Sequence, residues 1–140
     1  MSESKLRFSL ARHLIILPVY VNDHGPFGFI LDTGAGQSML SKHAVKRLRL
    51  KSSPLREKGL GAGGTVALQY TVVDSLKLAD IRLKNREVRV IDQSRISKAV
   101  GRRIYGIIGC DVLCDYVITI DYKKRDVVFR GGRRSGQTKD

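Results

Sequence analysis

Asp32 stands directly after Phe29, Ile30 and Leu31 and directly before Thr33 and Gly34, so a carboxylate ends an apolar, strand-like run where the chain begins to turn. A lone charge against apolar neighbours costs several kcal/mol unless hydrogen bonds, a proton or a partner group offset it. Such a residue either accepts backbone hydrogen bonds in a turn, as Asp before Gly commonly does, or moves protons in a reaction. The triplet alone does not decide, since it arises by chance in roughly a few per cent of chains of this length. A second segment lies far along the chain: Gly106, Ile107, Ile108 and Gly109, followed by Asp111, Val112 and Leu113, an apolar-apolar-Gly run that enters a short helical stretch.

Other reactive side chains offer less. Ser38 and His43 are close in sequence but have no glycine-framed nucleophile elbow, and read as a serine near a helix start and a surface histidine. Cys110 and Cys114 are too few for a disulfide framework and are expected as two thiols in a reducing compartment. With His13, His24 and His43 scattered, no metal site and no cofactor is expected.

The elements that must hold Asp32 are short β-branched runs separated by turns. Residues 14–21 (LIILPVYV) and 27–31 (FGFIL) form a hairpin across Asn22, Asp23, His24, Gly25 and Pro26. Further strands are expected at 65–73, 75–83 and 87–91, and a closing hairpin joins YVITID to DVVFR through the basic turn at Tyr122 to Arg125. Two short helices interrupt the pattern. Ser41 caps one that runs to Leu50, with Ala44, Val45 and Leu48 on one face, and the second starts near Gly109 with Val112 and Leu113 turned inward. The fold class is all-β with two short helices. Residues 1–12 are expected as a polar segment outside the core, 13–130 as the folded domain, and 131–140 as a flexible basic tail.

A chain of 140 residues with 42% apolar residues can build one domain with a core of its own. The longest apolar run, Leu14 to Val21, contains Pro18 and is far shorter than the ~20 residues needed to span a bilayer, so a cytoplasmic protein without membrane contact is expected. The formal charge of +13 comes from 26 Lys and Arg against 13 Asp and Glu. The basic residues are spread over Lys46, Arg47, Arg49 and Lys51, over Lys123, Lys124 and Arg125, and over Arg133 and Arg134. No aromatic residues interleave with them as a single-strand platform requires, so nucleic acid is expected only as a nonspecific partner.

Strand-LDTGA in the first third and IIG followed by a short helix in the last third resemble the paired signatures of retroviral-type aspartyl proteases, most of all their single-domain cellular and bacterial branch. The similarity runs from Leu14 to Phe129. It implies a closed, barrel-like β architecture with Asp32 as the catalytic carboxylate on a loop of Thr33, Gly34 and Ala35 at a dimer axis. Thr33 would bond across that axis, and Gly34 would admit substrate backbone. Ile107, Ile108 and Gly109 would support the loop from behind, and Gly61, Ala62, Gly63 and Gly64 would form the tip of a flap over bound peptide. Many relatives carry Asp or Ser after the loop alanine where this chain has Gly36, a departure that bears on substrate grip.

Hydrolysis by this route needs one ionised and one protonated carboxyl, and no second Asp-Thr-Gly or Asp-Ser-Gly exists among the thirteen acidic residues. A homodimer acting on peptide or protein substrates is therefore expected, with one Asp32 from each subunit. Two other readings stand beside it: a catalytically silent peptide-binding module on the same fold, and a basic protein associated with nucleic acid.

Overall fold

Alternation of buried and exposed residues organises the sheets. The computed structural model describes the backbone of residues 2–61 and 64–131, and the side chains of these except 2, 55–61 and 64–68. In chain order the elements are β1 (Ser2–Arg7), β2 (Ser9–Ala11), β3 (Leu14–Val21), β4 (His24–Leu31), β5 (Met39–Ser41), α1 (Lys42–Arg47), β6 (Ser52–Gly61), β7 (Gly64–Leu78), β8 (Ile81–Ile91), α2 (Ser94–Val100), β9 (Gly106–Ile108), α3 (Cys110–Leu113), β10 (Tyr116–Asp121) and β11 (Asp126–Gly131). The chain is mostly β, as expected.

One sheet runs β2-β3-β4-β9-β5-β8-β7-β6, and an additional pairing of β3 with β7 closes six of its strands into a barrel. Closure rests on Tyr20 opposite Lys77 and Val21 opposite Leu76. The turn before it is pinned by Asn22, whose Oδ1 accepts from the Asp74 and Ser75 amides at 2.7 and 3.1 Å. Asn22 and Asp23 both have positive φ, 50° and 65°, which a tight two-residue hairpin turn requires and these residue types tolerate. Inside the barrel Leu17, Val19, Phe29, Leu40, Val73, Leu76 and Leu78 are almost wholly buried. A second sheet, β1-β11-β10, adds Leu6, Val127 and Phe129 to the same core.

Several expectations hold. The hairpin of β3 and β4 forms, as does that of β10 and β11. Ser41 caps α1 by accepting from the Ala44 amide at 3.0 Å, with Ala44 and Val45 buried, and α3 starts from Gly109 with Val112 and Leu113 inward.

Others are corrected. The polar segment expected over 1–12 does not lie outside the core where it is described, from Ser2 on: β1 pairs along its length with β11, and Leu6, Phe8 and Ala11 are buried. Lys5 and Arg7 alternate with Leu6 and Phe8, so the polar character belongs to one face of a strand. The single strand expected over 75–83 is two: 75–78 end β7 and 81–83 begin β8, joined by a tight turn at Ala79 and Asp80, with Ala79 at φ 51°. β6 and the third helix, α2, were not expected. α2 has no fully buried residue; Ile96 and Val100 pack only partly buried against a small apolar cluster, and seven residues give too short a stripe for periodicity to mark. Cys110 and Cys114 are not free thiols; they form a disulfide across α3, with Cα atoms 5.2 Å apart. That pairing removes the support free thiols lent to a reducing compartment. Of the basic tail expected over 131–140, Gly131 ends β11 and the rest lies outside the described residues.

Candidate active site

Asp32 follows the last residue of β4. Its position is set by a parallel pairing of β4 with β9, in which Phe29, Ile30 and Leu31 lie opposite Gly106, Ile107 and Ile108. The Asp32 amide continues the ladder by donating to the Ile108 carbonyl at 3.0 Å. The turn then closes on the residue itself. The Ala35 amide donates to the Asp32 carbonyl at 3.2 Å, and the Gly34 amide donates to Asp32 Oδ1 at 2.9 Å. The carboxylate is half-buried, and one oxygen is thereby fixed by a backbone donor. Thr33 and Gly34 are exposed beside it.

Behind the loop, packing is tight enough to demand glycine. A Cβ on Gly109 would lie 2.8 Å from the Ala35 carbonyl oxygen and 2.9 Å from Gln37 backbone atoms, closer than side chains approach backbone. A Cβ on Gly106 would lie 2.3 Å from the Phe29 ring. The Cys110 amide donates to the Ala35 carbonyl at 2.7 Å, which joins the start of α3 to the loop. The Ile107-Ile108-Gly109 run therefore lies against the Asp32 loop.

A polar cluster completes the support. Ser38 is buried; its hydroxyl accepts from the Gly109 amide at 3.0 Å and donates to Asp111 Oδ1 at 2.7 Å, and its own amide donates to the same oxygen at 2.9 Å. Arg86 Nη2 lies 3.7 Å from Asp111 Oδ2 and donates to the Asp111 carbonyl at 3.3 Å. Arg89 bonds the Gln37 side chain at the next turn of the loop. Ser38, Asp111 and Arg86 had no assigned part in the site on sequence grounds. The one local signal is a polar residue directly before an apolar pair, Ser38 before Met39 and Leu40 and Asp111 before Val112 and Leu113.

The glycine cluster falls at the distal end of the β6–β7 hairpin, where Gly61 pairs with Gly64. Ala62 and Gly63 lie outside the described residues. Gly36 faces open space, with nothing within 4 Å of an added Cβ. On the other side of Asp32, Ile30, Leu31, Ile91, Ile96 and Ile107 line a largely apolar pocket of about 540 Å³ that also reaches Gln93 on the approach to α2.

This geometry has counterparts. A sequence profile described as aspartyl protease matches residues 17–112, more than half of the chain, from β3 through the IIG run into α3. No curated protein matches the chain by sequence. Among solved structures, a retropepsin-like aspartic protease from Rickettsia conorii superposes with a TM-score of 0.63 at 18% identity, over 91% of this chain and 89% of that one. The retroviral protease-like domain of Ddi1 from Leishmania major aligns with a TM-score of 0.48 at 20% identity, over 84% and 90% of the two chains. The first likeness shows that the fold is the retropepsin-like one, and with the profile match across the Asp32 loop and its support, the chain belongs to the aspartyl protease family.

Proposed function

We propose that the protein is an aspartic endopeptidase that works as a homodimer, with Asp32 of each subunit forming one catalytic pair. The observation that carries this reading is the Asp32 loop itself: a half-buried carboxylate held by the Gly34 amide, with Thr33 and Gly34 exposed at its rim. One subunit supplies one such carboxylate. Two, related by a two-fold axis, would stand close enough to share a proton, a situation for which aspartic proteases are the standard worked case. The ionised member takes a proton from water, the water oxygen attacks the scissile carbonyl, and the protonated member polarises that carbonyl oxygen. Thr33 would bridge the two loops across the axis. Gly61, Ala62, Gly63 and Gly64 would close over the peptide from the β6–β7 hairpin.

The folded unit in this reading includes β1, since its partner β11 belongs to the same core. No helix among the described residues is long and apolar enough to cross a membrane. The +13 charge favours acidic partners and nonspecific contact with nucleic acid, which should vanish as salt rises.

The test is a dilution series that follows molecular mass by sedimentation together with cleavage of an unfolded protein at mildly acidic pH. Activity should fall as the dimer dissociates and should follow a bell-shaped pH profile belonging to the pair. Asp32→Asn should lower turnover by roughly 10²- to 10⁴-fold, the usual contribution of a general acid or base, without changing the mass. A wild-type monomer at high concentration that binds peptides and never cuts them would replace the enzyme with a peptide-binding module.

A further inference from the structure

Pro26, Phe27, Arg47, Arg49 and Tyr105 border an open cleft of about 570 Å³ at the end of β4 away from Asp32. Pro26 and Asp32 are about 20 Å apart along an extended strand, and the cleft shares no lining residue with the Asp32 pocket. Tyr105 is anchored at the cleft by its backbone: its amide donates to the Gly28 carbonyl at 2.9 Å, and its carbonyl accepts from the Ser41 amide at 2.8 Å. Its ring stacks on Phe27 with centroids 4.5 Å apart. Arg47, in the last turn of α1, lays its guanidinium against both rings, 5.6 Å from the Phe27 centroid and 5.8 Å from that of Tyr105, and donates from Nη1 to the Tyr105 hydroxyl at 2.7 Å. Since both rings border the cleft, these contacts place the guanidinium at its wall. They hold the head still while spending one of its five N–H donors, and the residue stays exposed.

The charge around this head has one sign. Arg49 borders the same cleft, and no acidic residue does. Among the described residues the ion pairs are Lys5 with Asp126, Arg82 with Asp23, Arg86 with Asp111 and Arg130 with Glu3, so Lys46, Arg47, Arg49 and Arg103 pair with no carboxylate. Asp23, beside His24 at the rim, is taken by Arg82 at 3.0 Å. His43 meets the Tyr105 ring edge-on at 5.6 Å, and its proton is disfavoured first by partial loss of solvent and then by the charges of Arg103, Arg47 and Lys46. The end of α1 accounts for basic residues as such, because cations suit the last turn of a helix. It does not account for a guanidinium fixed on two rings at the wall of a cleft with its other donors unspent.

We propose that this cleft is an anion site in which Arg47 and Arg49 hold a phosphate dianion, carried on a small monoester or free. A guanidinium already held in place binds phosphate with little further loss of side-chain freedom and can offer two parallel N–H bonds. A phosphate monoester carries nearly two negative charges near neutral pH, which answers two guanidinia better than one carboxylate does. The cleft volume falls within the roughly 300–1,000 Å³ of ordinary small-molecule sites, so it has room for the carbon skeleton of a monoester beside the phosphate. The site does not depend on the protease reading.

The experiment is calorimetric titration of the full chain at about pH 7.5 and constant ionic strength, with adenosine 5′-monophosphate, inorganic phosphate and uncharged adenosine as probes. At least one of the two phosphates should bind saturably, one per chain, and adenosine should not. Tighter binding of the monophosphate assigns a monoester, and equal or tighter binding of inorganic phosphate assigns the free ion; either upholds the site. Arg47→Gln and Arg49→Gln should each weaken binding by about tenfold or more, as expected for loss of a charged donor. Lys98→Gln on α2 removes the same charge beside the other pocket and should leave binding within about twofold. Tyr105→Phe keeps the ring stack, removes the hydroxyl that orients Arg47, and should weaken binding by a smaller factor than Arg47→Gln does. Should Arg47→Gln unfold the chain, Arg49→Gln decides, since no described residue pairs with that side chain. Unchanged binding in Arg49→Gln, an equal loss in Lys98→Gln, or no saturable binding of either phosphate in the millimolar range overturns the proposal.

Discussion

The two sides of Asp32 treat polar groups in opposite ways. Toward β9 and α3 they are paired: the amides of Asp32, Gly34, Ser38, Gly109 and Cys110 all donate, and the Ser38 hydroxyl both accepts and donates. Toward α2 the walls are mostly isoleucine and leucine, with Asp92 and Arg95 among them, and the buried Gln93 carboxamide is unpaired. The first arrangement leaves nothing open and holds a carboxylate still. The second leaves the Gln93 donor and acceptor unmet and closed off from solvent. Asp32 thus stands between a rigid, fully paired support and a pocket with mostly apolar walls.

The sharpest way to break the rigid side is Gly109→Ala. Its backbone, at φ −112° and ψ −168°, suits alanine, so the penalty is steric alone. Contacts of 2.8–2.9 Å with the loop backbone force a shift costing about 1–3 kcal/mol, visible as a lower urea midpoint. Because the displaced atoms belong to the Asp32 loop, cleavage should fall further than stability does. A variant as stable and active as wild type would show that close packing does not hold the loop.

Ser38→Ala tests the polar part of the same support. It strands the Gly109 amide and removes one bond to Asp111, for about 1–3 kcal/mol. Combining it with Asp111→Asn should cost less than the sum of the single changes, since both act on one network. Additive losses would dissolve the network into separate contacts.

The smallest effect is expected outside both regions, where it serves as a reference. His43 is held below the ordinary histidine value, first by partial loss of solvent and then by the charges of Arg103, Arg47 and Lys46. The folded state therefore binds this proton less readily than the unfolded chain does, so stability is full above about pH 6.5 and declines as pH falls through that value toward the lower folded one. His43→Gln should flatten the slope of urea midpoint against pH between about 7.5 and 5.5. An unchanged slope would remove His43 as its source.

Local chemistry in the sequence was enough to mark Asp32, the Ser41 cap and the β10–β11 hairpin, because each depends on neighbours within a few residues: an apolar run before a turn, a hydroxyl three residues before its donor, a turn between two β-branched runs. It also marked Ile107, Ile108 and Gly109, though by resemblance, since nothing local says which strand they flank. Only tertiary structure decided the rest. Ser38 meets Asp111 and Gly109 across more than seventy residues, and β1 meets β11 from the opposite end of the chain. β3 closes on β7 through two residue pairs. Whether Gln93 is satisfied depends on what every other element leaves near it. Such features arise from which faces pack together once the whole chain has collapsed, and burial, which makes an unpaired amide costly and a glycine indispensable, does not exist until it has.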